Sequence, residues 1–387
     1  MQTFPPQNSL RFYREANGEI QENIWRELTS FEDLRINALN HELNCRLGVS
    51  EKQKWMPVIN DISVIEKGMI FDESIGKYIF PTLRIRQEEA SMQSFLIEAE
   101  AVINSLSGKR IGVQCSGGLD SSLIIGILRY FGVPHSLIGL KSDRYEFRTE
   151  KTVQAELIQE NDSNILIDFE DHLPMSRLER VPKHQYPDSS CLNFNLNNAM
   201  ASACKELGVQ VLISGAGGDV LLGTEAGMQT CSWTTGIFFD HWSNDLIYKI
   251  YDVEVHPFFA NKNIANTLWN LRRGQPEDIE KRWARIFFNN FLPKKLSKFS
   301  YRSDFWGLYI DGLINALPFL LKIQSHAFEL TGDSYFDKDN IRIFEEIDFR
   351  ECNQQVYQKI EARCSLAIWV CSLLGSEVNT ISSEMGY

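Results

Sequence analysis

The chain has 387 residues, 43% hydrophobic and 23% charged, which is ordinary for a globular enzyme with one large domain or two smaller ones. Its formal net charge of −12 argues against a broad basic surface for nucleic acid. The eight cysteines show no CxxC pair and no metal-ligand spacing, which indicates reduced thiols in the cytoplasm. We expect no signal peptide, because the first residues show no charged segment followed by an apolar run. We also expect no membrane span, because the longest apolar stretch, around residues 313–323, is short and contains Pro318.

The first part of the chain, residues 1–88, is predicted to form a small N-terminal domain that contains β-strands. Short apolar runs at residues 62–65, 69–71 and 78–80 are separated by polar turns and predict a small sheet. From about residue 88, apolar positions recur with a helical period, and we place the domain boundary there. The second predicted domain is residues 89–387.

Four apolar strands alternate with amphipathic helices in the first half of this second domain. The predicted strands are residues 109–115, 136–140, 164–167 and 209–214, and the predicted helices between them are residues 121–131, 146–159 and 196–207. From about residue 245 the pattern is mainly helical. Such alternation predicts an α/β fold with a parallel sheet covered on both faces, followed by a mainly helical C-terminal part.

A glycine-rich turn follows the first of these strands. Its sequence is Ser116-Gly117-Gly118-Leu119-Asp120-Ser121-Ser122. Because Gly117 and Gly118 have no Cβ atom, backbone N–H groups can approach an anion closely, and the next helix adds its positive end. The three serines add hydroxyl donors. Asp120 fits beside a phosphate only if Mg²⁺ lies between them, so we predict a phosphate and magnesium site, with an ordinary glycine-serine turn as the alternative.

A second glycine-rich loop follows the fourth strand, with the sequence Ser214-Gly215-Ala216-Gly217-Gly218-Asp219. In a parallel sheet this loop lies at the same carboxyl edge as the first loop, where ligands bind. We therefore predict that Gly215, Gly217 and Gly218 help to bind the same ligand. Asp219 is predicted to join Asp120 as the second carboxylate on one Mg²⁺.

These two loops resemble those of the asparagine synthetase family. Residues 116–122 match its pyrophosphate loop, and residues 214–219 match its second loop, with Val220 where the family usually has glutamate. Residues 254–258 resemble a later family segment in shortened form. The resemblance covers about residues 90–375 and implies a sheet of the pyrophosphate-loop ATPase type, also described as adenine nucleotide alpha hydrolase-like.

The resemblance implies a reaction and its cofactors, ATP and Mg²⁺. The family adenylates a carboxylate with release of pyrophosphate, and a nitrogen nucleophile then displaces AMP. Backbone groups near Val113 and Leu140 are expected to flank the adenine. The implied substrate is a small molecule or a peptide with a carboxylate and an amine, and the implied partner is a second copy of the chain in a homodimer or another biosynthetic enzyme.

One departure concerns the source of nitrogen. Glutamine-using members carry a catalytic cysteine directly after the initiator methionine, whereas this sequence has Gln2 there and its first cysteine is Cys45. The chain is therefore similar to the branch without glutaminase activity, which includes β-lactam synthetases and lasso-peptide cyclases. An antibiotic or lasso-peptide pathway is the implied setting.

A second departure concerns the residues expected to catalyse amide formation. Where the family has a lysine after a Leu-Pro segment, Tyr301 or Arg302 stands here, depending on the gap, and Lys298 takes the place of a family arginine. Arg302 can neutralise charge but cannot exchange a proton as lysine does. Glu254 is predicted to be the base for the attacking amine or to orient that base, with an exposed surface carboxylate as the alternative.

Two other functions stay open at this point. A degenerate member could serve as a partner or scaffold, as the missing lysine and Val220 suggest. Alternatively, the first loop could belong to another pyrophosphate-loop enzyme that modifies tRNA or hydrolyses ATP, although neither a basic patch nor paired cysteines are evident.

Overall fold

The computed structural model describes residues 11–14, 19–21, 62–65, 70–72, 77–79, 89–160, 162–181, 189–223, 247–273, 275, 280–298, 305–332, 334–336 and 354–374. The N-terminal part contributes the strands β1 (Arg11–Arg14), β2 (Glu19–Gln21), β3 (Ile62–Ile65), β4 (Ile70–Asp72) and β5 (Lys77–Ile79). They form an antiparallel sheet in the order β2-β1-β3 and an antiparallel β4-β5 pair. The three strands predicted here are confirmed, while β1 and β2 were not predicted.

The main sheet has five parallel strands. They are β6 (Ile111–Gln114), β7 (His135–Lys141), β8 (Asn164–Asp168), β9 (Val211–Ser214) and β10 (Glu254–Pro257). Their order is β10-β9-β6-β7-β8, and every neighbouring pair is parallel. The four predicted strands are confirmed, and β10 is an additional fifth strand in a region that the sequence predicted to be mainly helical.

The main helices of the described residues are numbered in chain order. They are α1 (Met92–Ser105), α2 (Leu119–Tyr130), α3 (Arg148–Leu157), α4 (Phe194–Glu206), α5 (Lys262–Arg272), α6 (Arg282–Phe287), α7 (Lys294–Lys298), α8 (Trp306–Thr331) and α9 (Gln354–Leu374). Those between the strands match the predicted helical segments within a few residues. The predicted α/β class with a mainly helical C-terminal part is confirmed.

Helices cover both faces of the sheet because neighbouring strand residues point to opposite sides. Val113 and Ile213 are fully buried in the apolar core that contains α2. Ile138 and Leu212 are fully buried in a second core that contains α4. Eight of the twelve residues of α2 are buried, which fixes the helix that begins in the first glycine-rich loop.

The strand order reverses at β6, and this reversal positions the site. From β6 the chain moves outward through β7 and β8, and it then returns to place β9 and β10 on the other side of β6. The loops that follow β6 and β9 therefore leave the same carboxyl edge from adjacent strands. Ligands of open parallel sheets bind in the crevice at such a switch point.

The C-terminal helices α8 and α9 pack together around a separate apolar cluster that includes Leu320, Ile323 and the fully buried Trp369. Within the described residues, α8 is the one helix long and apolar enough to cross a membrane, and Pro318 lies inside it. The prediction that no apolar stretch reaches this length is therefore wrong. Length and composition alone are weak support for a membrane span, since core helices meet the same criteria.

Candidate functional site

The first loop forms a tight turn between β6 and α2. Gly117 has a φ of 79°, in the left-handed region, and a Cβ atom there would lie 2.5 Å from the backbone oxygen of Glu150. Glycine is therefore required at this position. The exposed Ser116 pairs its hydroxyl with that of Ser121 at 2.9 Å. The loop thus presents Ser116 and the N-terminus of a 12-residue helix to the carboxyl edge of the sheet.

The second loop packs directly on Asp120 of the first. A Cβ atom on Gly218 would lie 2.4 Å from Cγ of Asp120, closer than real Cβ contacts, and one on Gly215 would lie 3.3 Å from Cβ of Asp120. Gly217 has a φ of 85°, which turns the chain toward Asp219. The structure therefore brings the two predicted loops into contact, and the glycines of the second loop make room for the aspartate of the first.

Asp120 and Asp219 meet at one buried cation, the ammonium of Lys281. Its Nζ donates to Oδ1 and Oδ2 of Asp120 at 2.8 and 2.7 Å and lies 2.7 Å from Oδ1 of Asp219. The Lys281 side chain is 10% exposed and that of Asp120 17% exposed, whereas Asp219 is 72% exposed. The pair of carboxylates therefore faces a single cation position, with Asp219 open to solvent on one side.

Burial and charge act in opposite directions on this cluster. Burial raises the pKa of the Asp120 carboxyl, and Lys281 only partly opposes that shift. Burial alone lowers the pKa of Lys281, but Asp120 and Asp219 outweigh it and raise that pKa. Lys281 is therefore an ammonium at neutral pH, and its charge opposes the effect of burial on the Asp120 carboxyl.

The donor set fits Mg²⁺. Two carboxylates that share one cation position are the oxygen ligands this hard ion prefers, with phosphate oxygens and water completing its shell. No group of three or more metal-ligating side chains occurs in the described part of the chain. A metal held here by Asp120 and Asp219 would thus depend on the bound substrate for its other ligands.

Buried side chains of α5 and α6 hold the second loop in place. The indole nitrogen of Trp283 donates to the backbone oxygen of Leu222 at 2.8 Å, and Arg272 donates to that of Gly223 at 2.7 Å. Both carbonyls belong to the single π-helical turn Asp219–Gly223, which begins with the site aspartate. Because Trp283 lies two residues after Lys281, one short segment positions both the ammonium and the loop that carries Asp219.

A partly enclosed cleft opens beside Ser116, past the carboxyl ends of β6 and β7. Its empty volume is about 340 Å³, open mouth included. Leu140, Phe147, Phe169 and Phe305 provide apolar walls, and the Phe305 ring centroid lies 4.9 Å from that of Phe147. The apolar walls suit a planar organic group that lies next to an anion-binding loop.

The family model for asparagine synthase matches residues 99–305, more than half of the chain. The chain belongs to the asparagine synthase family. The matched region contains both glycine-rich loops, Lys281 and the cleft. Family membership implies that the chain uses ATP and is, in general terms, an ATP-dependent amide-forming ligase.

Among solved structures, the chain is similar to the crystal structure of NAD+ synthetase from Burkholderia pseudomallei. The two are 15% identical, with a TM-score of 0.25, and the match covers 54% of this chain and 90% of the other. A TM-score this low supports no conclusion about this chain, and the fold is described from its own strand order. No curated protein matches the chain in sequence.

Two positions expected to flank the adenine have different surroundings. Val113 is fully buried in the middle of the sheet, paired with Leu137 and Ile213 on the two neighbouring strands, and not at a strand end. Leu140 lines the cleft, and its backbone oxygen accepts a hydrogen bond from Gln154 at 2.7 Å. In this asparagine synthase family member, therefore, the structure brings Leu140 but not Val113 to the open cleft.

Ser122 also departs from its predicted role. It is fully buried, and its hydroxyl donates to the backbone oxygen of Gly118 at 2.6 Å. The hydroxyl of Ser121 likewise lies 3.3 Å from that oxygen. Both side chains stabilise the turn from inside, so Ser116 is the serine that faces the open edge.

Glu254 lies at the wrong edge of the sheet for the predicted catalytic role. It is the first residue of β10, in register with Val211 at the start of β9, so it belongs to the amino-terminal edge. There its carboxylate pairs with Lys109 at 2.6 Å, and both side chains are more than 40% exposed. The structure places Glu254 across the sheet from Asp120, as an exposed ion pair.

The remaining predicted catalytic residues lie largely outside the described structure. Tyr301 and Arg302 fall between described segments, and only the backbone of Lys298, at the end of α7, is described. Their predicted roles stay predictions.

Lys281 was not predicted from the sequence. It stands in the charged run Glu280-Lys281-Arg282, which resembles a solvated turn. The one local signal is the short, aromatic-rich amphipathic helix that begins directly after Lys281, which indicates that this segment packs against the core. Its φ of 55° is unusual for a lysine and marks a backbone held by its surroundings.

Replacing Trp283 with phenylalanine is expected to weaken MgATP binding about fivefold. The substitution keeps the aromatic ring but removes the hydrogen bond to Leu222, an interaction worth about 1 kcal/mol. Calorimetric titration with MgATP measures the effect. Trp306→Phe is the matched control, because Trp306 packs on Tyr357 in the C-terminal helical part. Equal MgATP affinity in the two variants would show that the Trp283 hydrogen bond does not position the loop.

Proposed function

We propose that the chain binds MgATP at the loops after β6 and β9, adenylates a substrate carboxylate, and joins the acyl group to an amine. The observation that carries this proposal is the convergence of Asp120 and Asp219 on one cation position beside the glycine-rich turn. A cation that links these two carboxylates to phosphate would account for their place beside an anion-binding turn.

The proposed first step uses the carboxyl edge of the sheet. The substrate carboxylate attacks the α-phosphorus of ATP, and pyrophosphate leaves over the turn at Ser116 and Gly117. The N-terminus of α2 and the ammonium of Lys281 supply positive charge beside the leaving group. Asp120 and Asp219 would hold Mg²⁺ there, which would neutralise more of the charge that develops on the leaving group.

In the proposed second step, an amine attacks the acyl carbon, loses a proton, and expels AMP. The cleft walled by Leu140 and the three phenylalanines holds the adenine, so that the acyl group faces the second loop. Lys281 precedes the Leu292-Pro293 segment, and it does not replace the lysine that the family carries after that segment. Tyr301, Arg302 and Lys298 remain our proposed residues for this step.

We further propose the branch without glutaminase activity, acting on a small molecule or peptide in a cytoplasmic biosynthetic pathway such as antibiotic or lasso-peptide formation. The amine then comes from the substrate itself or from a second substrate. A homodimer or a partner biosynthetic enzyme is part of this proposal. Free cysteines in the described residues agree with a reducing compartment.

The direct test is calorimetric titration with MgATP, followed by mass spectrometry of reactions with ATP and candidate substrates. The ligase is supported by MgATP binding, release of AMP, and a product whose mass is one water less than the summed mass of the substrates that are joined. Release of AMP without an amide points to the ATP-hydrolysing alternative, and a modified tRNA base points to the tRNA-modifying one. Failure to bind MgATP would favour the alternative that the chain is a degenerate family member that serves as a partner or scaffold.

We expect no release of glutamate from glutamine, with or without ATP. Glutamine hydrolysis of this kind needs a reactive thiolate. All the cysteines in the described residues are buried, and burial raises the pKa of Cys115 to about 11 and that of Cys204 and Cys371 to about 12. A coupled glutamate assay checks this, and measurable glutamate would contradict the proposed branch.

A further inference from the structure

The ammonium of Lys281 stands where a shared metal ion would have to be. Three carboxylate oxygens surround its Nζ at 2.7 to 2.8 Å, two from Asp120 and one from Asp219. Any cation bound by both carboxylates needs the position that this ammonium fills. A divalent ion and the ammonium cannot share it, because two positive charges at contact distance repel each other strongly in a buried site.

We propose that Lys281 makes metal binding at Asp120 and Asp219 conditional on the phosphates of a nucleotide. This inference rests on the proposed MgATP site. Without nucleotide, Lys281 satisfies both carboxylates and excludes the free ion. When polyphosphate arrives, it offers the ammonium new anionic partners, and the carboxylates become free for the metal.

The surroundings of Lys281 explain why it needs such a partner before it moves. Its side chain is 10% exposed, so an ammonium that leaves the aspartates without another anion loses its charge compensation inside the protein. The guanidinium of the neighbouring Arg285 donates to the backbone oxygens of Glu280 and Leu296 at 2.8 and 2.6 Å, and its charge also favours the ionised form of Asp120.

The lysine stem permits the required movement. Its four methylenes have several rotatable bonds, so Nζ can shift by several ångströms while the backbone stays fixed. The stem passes Gly223, where an added Cβ atom would lie 3.5 Å from Cε of Lys281. Gly223 therefore places no side chain against the stem, and the anion-binding turn beside Asp120 provides the destination.

The test is titration of the nucleotide-free protein with Mn²⁺, with protein-bound Mn²⁺ measured as the excess on the protein side of an equilibrium dialysis, because ATP itself chelates the ion. The wild type is expected to bind free Mn²⁺ weakly and to bind it tightly once ATP is added. Lys281→Met keeps the stem but removes the charge, and it is expected to bind Mn²⁺ without nucleotide at least tenfold more tightly than the wild type. Lys109→Met is the matched control, because Lys109 also pairs with a carboxylate, that of Glu254, but at the opposite edge. It should behave as the wild type.

Lys281→Gln is a second variant for the case that the methionine variant does not fold. It also removes the charge, but its neutral amide can still donate hydrogen bonds to both carboxylates. The same gain of at least tenfold is expected for it. If the wild type binds Mn²⁺ with ATP but neither Lys281 variant binds free Mn²⁺ more tightly than the wild type, the conditional role of Lys281 is wrong while the proposed site stands. If the wild type does not bind Mn²⁺ even with ATP, the proposed function itself fails.

Discussion

Replacing Asp120 with asparagine is expected to lower substrate-driven ATP–pyrophosphate exchange by about 10²- to 10³-fold. The change keeps the size of the side chain, so its packing against Gly218 is retained, but it removes the buried carboxylate. Without that charge, the proposed magnesium loses one of its two protein ligands, and charge on the leaving pyrophosphate loses its main compensation. Losing a single preorganised electrostatic contact of this kind typically costs about 10²–10³ in rate.

Exchange of labelled pyrophosphate into ATP, measured with the substrate found by mass spectrometry, checks this prediction, and calorimetry separates loss of MgATP binding from loss of chemistry. Asp162→Asn is the matched control, since Asp162 pairs with Arg129 at 2.7 Å in another partly buried ion pair. It should retain exchange. Exchange at the wild-type rate in Asp120→Asn would remove the role that we assign to Asp120.

Replacing Gly218 with alanine is expected to lower MgATP affinity by roughly 10- to 100-fold. The new methyl group would lie 2.4 Å from Cγ of Asp120, so either the carboxylate or the second loop must move. Overpacking of this kind costs about 1–3 kcal/mol, and here the strain falls on the two elements that hold the cation. The φ of Gly218 is not in the left-handed region, so the effect is steric.

Gly215→Ala provides a graded comparison. Its Cβ would lie 3.3 Å from Cβ of Asp120, a contact that a few tenths of an ångström can relieve. We expect an affinity loss of less than about fivefold for this variant, since such a small shift costs under about 1 kcal/mol. MgATP titration and thermal unfolding of both variants distinguish local damage from general instability. Equal, wild-type-like MgATP affinity in the two variants would mean that the close approach of the loops is not needed for binding.

The sequence identified the parts of the site that depend on local structure. A buried strand, a glycine-rich turn and a helix follow each other within about twenty residues around Asp120. The apolar run, the glycines and the helical period that predict them all lie within that one segment. The same holds for the turn before Asp219. Because both turns follow strands of one parallel sheet, their meeting at the carboxyl edge could also be predicted before the strand order was known.

The sequence could not assign Lys281 or Glu254 correctly, because their surroundings depend on distant parts of the chain. Lys281 is 161 residues from Asp120, and nothing near it in sequence shows that it is buried between two aspartates. Glu254 looked catalytic because it lies next to a family-like Pro-Phe segment. Its strand, β10, is only four residues long and ends in Pro257, so it carries no periodic signal.

What the amino-acid sequence determined by itself was therefore the fold class, the family and the two aspartate-bearing turns, since each is encoded in contiguous residues whose period and turn chemistry are local. Only the tertiary structure decided the rest. The register of β10 against β9 sent Glu254 to the far edge, and the packing of α6 against the second loop carried Lys281 between Asp120 and Asp219. Strand register and helix packing are set by many distant contacts acting together, which is why no short stretch of sequence contains them.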